Sequence, residues 1–177
     1  MGRLPRQLTL SAESIFVVYT IYKSYEETKE QFGIVIDALS KAFPDTKAAR
    51  FGLRYINQFD VQLDDATKWD DLINPNLLKS RDFFENTDSL TRLISIAELQ
   101  YEDINVRFQF GMPNPDYPAP IKRPLFILDL DGSVSQAHDL TDTLGYMDQA
   151  HDHIQKIYER SITQSLRGKM DVRPVQQ

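Results

Sequence analysis

The sequence predicts an α+β domain, a twisted and mostly antiparallel sheet of about five strands with two long helices packed against it. Three patterns support this class: short runs rich in β-branched and aromatic residues, two long stretches with apolar residues at helical spacing, and two adjacent apolar runs joined by a short turn. The chain has 177 residues and no long linker. We therefore expect a single domain over residues 1–177, with residues 171–177 as a tail.

The first predicted strand lies within residues 14–22, where both alternating sets of side chains are largely apolar. Such a strand is covered on both faces, or on one face by a partner, so we expect it to be a central strand. A second strand is predicted over residues 47–59. Because a helical stretch separates the two strands, the succession favours a right-handed crossover.

The helical stretch between these strands begins at a capping box, in which Ser24 and Glu27 satisfy free amide groups of the first turn. Apolar residues follow at spacings of three and four, which is typical of one buried helix face. Pro44 prevents continuation. The helix should therefore begin at Tyr25 and end near Phe43.

Two short helices are predicted next, over residues 64–73 and 74–86. In the second, Asn74 is the expected N-cap and Pro75 takes the first helical position, where a missing N–H costs nothing.

The second half of the chain predicts a hairpin, a further strand and a long helix. The hairpin joins residues 90–99 to residues 104–110, and the second run alternates apolar with polar side chains, as in a strand with one solvated face. Residues 125–131 supply a fifth strand. From residue 139 to residue 170 the apolar spacing is helical again, so the closing segment is predicted as one long helix.

Composition excludes several classes of protein. Without cysteine, the chain is neither a disulfide scaffold nor a thiol enzyme. Its longest dense apolar stretch, residues 15–22, is far shorter than the roughly 20 residues of a membrane span, so we expect a soluble, cytoplasmic protein with no membrane partner. A net charge of -6 disfavours nucleic acid as the main partner, because phosphate contacts require clustered Lys and Arg.

Residues 126–133, Phe-Ile-Leu-Asp-Leu-Asp-Gly-Ser, resemble the first motif of the haloacid-dehalogenase phosphohydrolases. In that motif one Asp attacks phosphorus and a second Asp, two residues later, acts as acid and base beside a magnesium ion. Asp129 and Asp131 share one side of the predicted strand, so the geometry is available. The later motifs of that family do not follow in the remaining chain. A strand ending in a turn is therefore favoured, and a metal-dependent hydrolase of phosphoesters or nucleic acid using Asp129 and Asp131 is the alternative.

Four residues are candidates for binding: Arg54, Asn57, His151 and Glu159. Arg54 and Asn57 stand in an otherwise apolar strand, where buried polar groups need partners, either in an internal network or in a ligand. His151 lies on the apolar stripe of the closing helix, which favours a histidine at the edge of the core over a metal ligand or base. We expect Arg54 to pair with an acidic side chain of that helix, Glu159 first, and so to hold helix against sheet. No metal and no cofactor are predicted.

Three stretches carry a wider resemblance: Phe51-Gly52-Leu53-Arg54-Tyr55-Ile56-Asn57, the strand Leu125 to Asp131, and the closing helix from His151-Asp152-His153-Ile154 to Tyr158-Glu159-Arg160-Ser161-Ile162-Thr163. Their order and spacing resemble a sporadically distributed prokaryotic family of uncharacterised function. The resemblance covers most of residues 14–170 and implies no reaction. It implies an accessory or defence-type locus, and family members carry a further N-terminal strand and helix that this chain is expected to lack.

The leading hypothesis is a non-catalytic binding or interaction module that associates with itself or with a protein partner. It rests on the two-sided apolar strand, on the ten Phe and eight Tyr residues, and on the lack of a nucleophile–base pattern in the sequence. Whether the protein catalyses a reaction stays open, with non-catalytic favoured.

Overall fold

The computed structural model describes residues 6–171, so residues 172–177 of the predicted tail lie outside the described residues. In chain order the strands are β1 (Arg6–Leu10), β2 (Ile15–Tyr19), β3 (Lys47–Ala48), β4 (Phe51–Asp60), β5 (Leu93–Tyr101), β6 (Ile104–Met112), β7 (Leu125–Val134) and β8 (His138–Asp139). The helices are α1 (Tyr25–Ala42), α2 (Pro75–Asp82), α3 (Thr143–Ser161) and α4 (Gln164–Asp171), with short 3₁₀ turns at Thr87–Ser89 and Leu140–Asp142.

The predicted α+β class is confirmed. Four strands form the central sheet in the order β4-β7-β6-β5, and every neighbouring pair is antiparallel. Strands β1 and β2 form a separate two-stranded sheet, as do β3 and β8. Helices α1 and α3 are the two long helices, and α3 contacts β4, β6 and β7.

The core lies between α3 and one face of the central sheet. Successive side chains of a strand point to opposite faces, and on β7 the buried set Phe126, Leu128, Leu130 and Val134 belongs to the core cluster. From the helix, Met147, Ala150 and Ile154 are buried against this face.

The predicted start of α1 is confirmed. Ser24 is the N-cap, and its hydroxyl accepts a hydrogen bond from the Glu27 amide at 3.2 Å. The helix ends at Ala42, and the Phe43 amide still donates to the Leu39 carbonyl at 2.8 Å. The Asn74 cap and Pro75 at the start of α2 are also as predicted, and the helix ends at Asp82 rather than residue 86.

Strand β2 is not the central strand that residues 14–22 predicted. It pairs only with β1 among the described strands, and the two form a hairpin outside the central sheet. Because β2 and β4 belong to different sheets, the predicted crossover between them does not exist either. The hydrophobic pattern predicted the correct secondary structure for β2, but it did not predict that β2 pairs with β1.

Residues 64–73 are not helical but a series of turns around Trp69, which is fully buried. The Trp69 indole Nε1 donates to the Ala66 carbonyl at 3.0 Å, so its polar atom is satisfied inside the core. The Asp65 carboxylate accepts hydrogen bonds from the backbone amide and the hydroxyl of Thr67. These bonds stabilise a turn where the sequence predicted the start of a helix.

The closing helix is broken in two at Ile162, which has the extended backbone angles φ -108° and ψ 151°. A bridge to Ile73 causes the break. On either side of it, Asn74 donates its amide to the Ser161 carbonyl at 2.8 Å and Thr163 donates to Leu72 at 3.0 Å. Among residues 6–171, no helix is both long and apolar enough to cross a bilayer.

A glycine permits the close approach of α3 to the sheet. A Cβ placed on Gly132 would lie 3.0 Å from the Ala150 Cβ and 3.1 Å from the Ile154 Cδ1. We therefore expect Gly132→Ala to lower the free energy of unfolding by about 1–3 kcal/mol, because the packed helix must shift. Urea denaturation followed by circular dichroism measures it.

Gly145→Ala is the matched control, because Gly145 lies in α3 with open space around its Cα. This substitution should raise the free energy of unfolding by about 0.5–1 kcal/mol through helix propensity alone. If both substitutions changed the free energy of unfolding by the same amount and in the same direction, the close contact between α3 and β7 would not restrict the size of the side chain at position 132.

Candidate functional site

Arg54 forms its ion pair on the face of the sheet that α3 leaves uncovered. Its Nε donates to Asp129 Oδ1 at 2.8 Å and its Nη2 donates to Oδ2 at 2.5 Å, a bidentate arrangement between neighbouring strands β4 and β7. The Asp129 side chain is 6% exposed and that of Arg54 is 52% exposed. These bonds raise the pKa of Arg54, and the guanidinium shields a buried carboxylate that would otherwise be costly.

The predicted pairing of Arg54 with Glu159 is wrong. Glu159 instead pairs with Arg167 of α4 and accepts from the Gln155 amide at 2.7 Å. Alternation explains the error, because Tyr55 points toward α3 and its neighbour Arg54 therefore points away from it. The acidic partner of Arg54 comes from the adjacent strand and not from the closing helix.

Charged side chains form a row across the uncovered face. The strand register places Arg54 opposite Asp131, Asp131 opposite Arg107, and Arg107 opposite Glu98. Charges of alternating sign on neighbouring strands attract one another. Arg107, Asp131 and Glu98 also line a shallow polar groove of about 400 Å³.

The hydrolase alternative needs Asp129 to attack phosphorus or to bind a metal ion. The structure instead places both of its oxygens against the Arg54 guanidinium. Asp131 lies on the same side of β7, as predicted, with its side chain lining the polar groove. Within residues 6–171, no three His, Asp or Glu side chains are grouped so that they could hold a metal ion.

His151 lies on the other side of the sheet, between α1 and β4. Its ring stacks on Tyr25 with centroids 3.7 Å apart and planes 1° from parallel. Its Nδ1 lies 3.4 Å from the Tyr55 hydroxyl, and Tyr22 packs edge-on against Tyr55 with centroids 5.4 Å apart. We call these four residues, Tyr22, Tyr25, Tyr55 and His151, the tyrosine–histidine cluster.

Asp148 ties this cluster to α1. Its carboxylate accepts from the Tyr25 hydroxyl at 2.6 Å and from Lys29 Nζ at 2.7 Å. Burial lowers the pKa of His151, and the nearby carboxylates of Asp152 and others oppose this only in part. Burial is also the main cause of the raised pKa of Tyr25 and Tyr55. A neutral imidazole among neutral phenols matches the predicted histidine at the edge of the core.

The four predicted binding residues do not meet in one cleft. Asn57 shares the helix-covered face with Tyr55, and its Nδ2 donates to the Leu128 carbonyl of β7 at 3.2 Å. Arg54 lies on the opposite face, and Glu159 contacts α4. Arg54 and Asn57 therefore both bond within the sheet, which favours the internal network over a ligand site.

Four of the exposed apolar side chains among the described residues lie on the β1–β2 hairpin, which we call the hairpin arm (residues 6–19). Leu8 and Leu10 on β1 are 57% and 69% exposed, and Phe16 and Val18 on β2 are 59% and 53% exposed. The Ser11 amide donates to the Ser14 carbonyl at 2.9 Å and closes the turn.

Sequence reasoning missed β1. The signal was present, since Leu8 and Leu10 alternate with Gln7 and Thr9 and a small polar turn separates them from β2. A pair of such runs predicts a hairpin.

The chain matches no protein-family model, no curated protein and no solved structure.

A double-mutant cycle tests the Arg54–Asp129 pair. We expect Arg54→Met and Asp129→Asn to show a coupling of at least about 1 kcal/mol in the free energy of unfolding, because the two side chains touch. The control cycle combines Arg54→Met with Glu159→Gln, which should be additive within about 0.5 kcal/mol, since the residues lie on opposite faces. Coupling in the control cycle alone would contradict the structure.

The pH dependence of stability tests the environment of His151. Because burial lowers its pKa in the folded state, the unfolded chain binds a proton more readily, starting near the ordinary pKa of 6.5. The free energy of unfolding should therefore fall as the pH drops below this value, and the contribution is fully present above it. His151→Phe, which keeps a ring for Tyr25, should flatten the profile just below this value. Parallel profiles of the two proteins, from urea denaturation at several pH values, would contradict burial of His151.

Proposed function

We propose that the protein is a non-catalytic interaction module that associates with a second copy of itself through the hairpin arm. The observation that carries this proposal is the exposure of apolar side chains on both strands of the arm. A two-stranded hairpin in water is only marginally stable, and it becomes stable when further strands or a packed face cover it. Strand β2 has the apolar composition of a buried strand, yet its Phe16 and Val18 are exposed.

The charge of the arm favours a second copy over a charged partner. Between Gln7 and Tyr22, Glu13 is the only charged residue, whereas the whole chain carries a net charge of -6. The arm as a whole carries one positive residue, Arg6, and one negative residue, Glu13. A surface with so few charges is not strongly repelled by its own copy, and it offers little for an acidic or basic ligand to pair with.

The exposed apolar side chains of the arm also suit an interface between two copies. Six apolar side chains of the arm and the residues after it, each about half exposed or more, are Leu8, Leu10, Phe16, Val18, Ile21 and Tyr22. The strand register puts Leu8 and Leu10 on one face of the arm and Phe16 and Val18 on the other. A second copy that continues the sheet would therefore extend both apolar faces.

The metal-dependent hydrolase is the weaker candidate, because Arg54 engages the Asp129 carboxylate that the reaction would need. A cytoplasmic setting and a prokaryotic accessory or defence-type locus stay predictions from the sequence. They are compatible with an interaction module but add nothing to the argument for one.

Light scattering tests the proposal. The wild-type protein at tens of micromolar should have about twice the chain mass of 20.5 kDa. Replacing Phe16 and Val18 together by Ser should shift it to the mass of one chain, because their contacts across the interface are lost. Circular dichroism should show an unchanged domain.

Phe83→Ser is the matched control, because Phe83 is 81% exposed and lies outside the arm, just beyond α2. This variant should keep the wild-type mass. A monomeric wild-type protein, or equal dissociation of the Phe83→Ser control, would contradict association through the arm.

A further inference from the structure

We infer that the second copy adds to the edge of β2 with which no described strand pairs, so that β2 pairs antiparallel with β2 of the other chain and Val17 lies on the twofold axis. This inference rests on the proposed self-association and specifies how it occurs. The result is one four-stranded sheet shared by two chains, in the order β1-β2-β2-β1.

The two strands of the arm differ in a way that selects β2 for the centre. On β2 both faces are apolar, with Ile15, Val17 and Tyr19 on one side and Phe16 and Val18 on the other. A strand that is apolar on both faces is typical of the middle of a sheet.

Strand β1 has the composition of an edge. Leu8 and Leu10 alternate with Gln7 and Thr9, and the strand begins with Arg6. Charged and polar side chains on an outer strand discourage further pairing. Pairing through β2 leaves β1 outermost in both chains, so the sheet would stop at four strands.

Symmetry then determines the register. A twofold axis between two antiparallel strands requires one residue to face its own copy. Strand β2 has five residues, so all five are paired only when that residue is the middle one, Val17. Ile15 then lies opposite Tyr19, and Phe16 lies opposite Val18 of the other chain. These are pairs of aromatic and β-branched side chains, which stabilise neighbouring strands.

The same register separates the charges of the arm. Glu13 lies four residues from the axis, so the two copies of Glu13 are eight residues apart. At about 3.4 Å per strand residue the two copies of Ile15 are already about 14 Å apart, and Glu13 lies further out in the turn, beyond the roughly 10 Å over which salt screens exposed charges. The two copies of Glu13 therefore do not oppose the pairing, and Arg6, the other charged residue of the arm, lies on the outer strand β1.

Disulfide cross-linking tests this register, because the chain has no cysteine of its own. Directly opposed residues in antiparallel strands have Cα atoms about 4.5–5.5 Å apart, which is within the range of a disulfide. Val17→Cys should therefore form a covalent dimer under mild oxidation, seen as a shift to twice the chain mass that a reductant reverses. Mixing Phe16→Cys with Val18→Cys should also give a covalent dimer, in higher yield than either variant alone.

Two further variants serve as comparisons. Phe83→Cys places an exposed thiol outside the arm and measures cross-linking by random collision. Leu8→Cys reports pairing through β1, because Leu8 is the middle residue of that strand.

The outcomes separate this inference from the proposed function. If light scattering shows a dimer but Val17→Cys and the mixed pair cross-link no more than Phe83→Cys, or Leu8→Cys cross-links instead, the register is overturned and self-association stands. If Val17→Cys prevents association under reducing conditions, cross-linking between Phe16→Cys and Val18→Cys tests the register instead. A strictly monomeric wild-type protein overturns both.

Discussion

The alternation of β7 organises the rest of the structure. Its even-numbered residues, among them Phe126, Leu128 and Leu130, point into the core. Its odd-numbered residues, among them Asp129 and Asp131, point to the other face. Because β7 lies inside the four-stranded sheet, this division extends to its neighbours β4 and β6 through the register. Helix α3 covers the apolar face, and ion pairing makes the other face compatible with water.

One short motif shows how neighbours decide the role of a residue. The sequence around Asp129 resembles a phosphohydrolase motif, in which the carboxylate is the nucleophile. In this fold the same carboxylate is almost fully buried and accepts two hydrogen bonds from Arg54. A bidentate guanidinium neutralises this carboxylate and engages both of its oxygens. The motif here stabilises the contact between two strands.

The tyrosine–histidine cluster connects the domain to the hairpin arm. Tyr22 follows β2 and packs on Tyr55 of the central sheet, while Tyr25, at the start of α1, stacks on His151 of α3. The base of the arm is therefore held by aromatic contacts to both layers of the domain, and the strands beyond it are exposed. An anchored base with exposed apolar side chains beyond it is compatible with the proposed self-association.

Local signals in the sequence were sufficient for most of the elements. The capping box of Ser24, the Asn74–Pro75 helix start, and the alternation of β6 each depend on residues a few positions apart, so the sequence alone determined them. The apolar stripe through Met147 and Ile154 likewise identified the buried face of α3.

Only the tertiary structure decided which elements became neighbours. Ile162 breaks the closing helix because Ile73, far away in the chain, pairs with it. Arg54 meets Asp129 rather than Glu159 because β4 lies beside β7, and β2 lies in an arm because its pairing partner is β1. Hydrophobic period reports which side of an element is buried, but it carries no information on what buries it. That choice depends on contacts between residues distant in sequence, which form only when the whole chain folds.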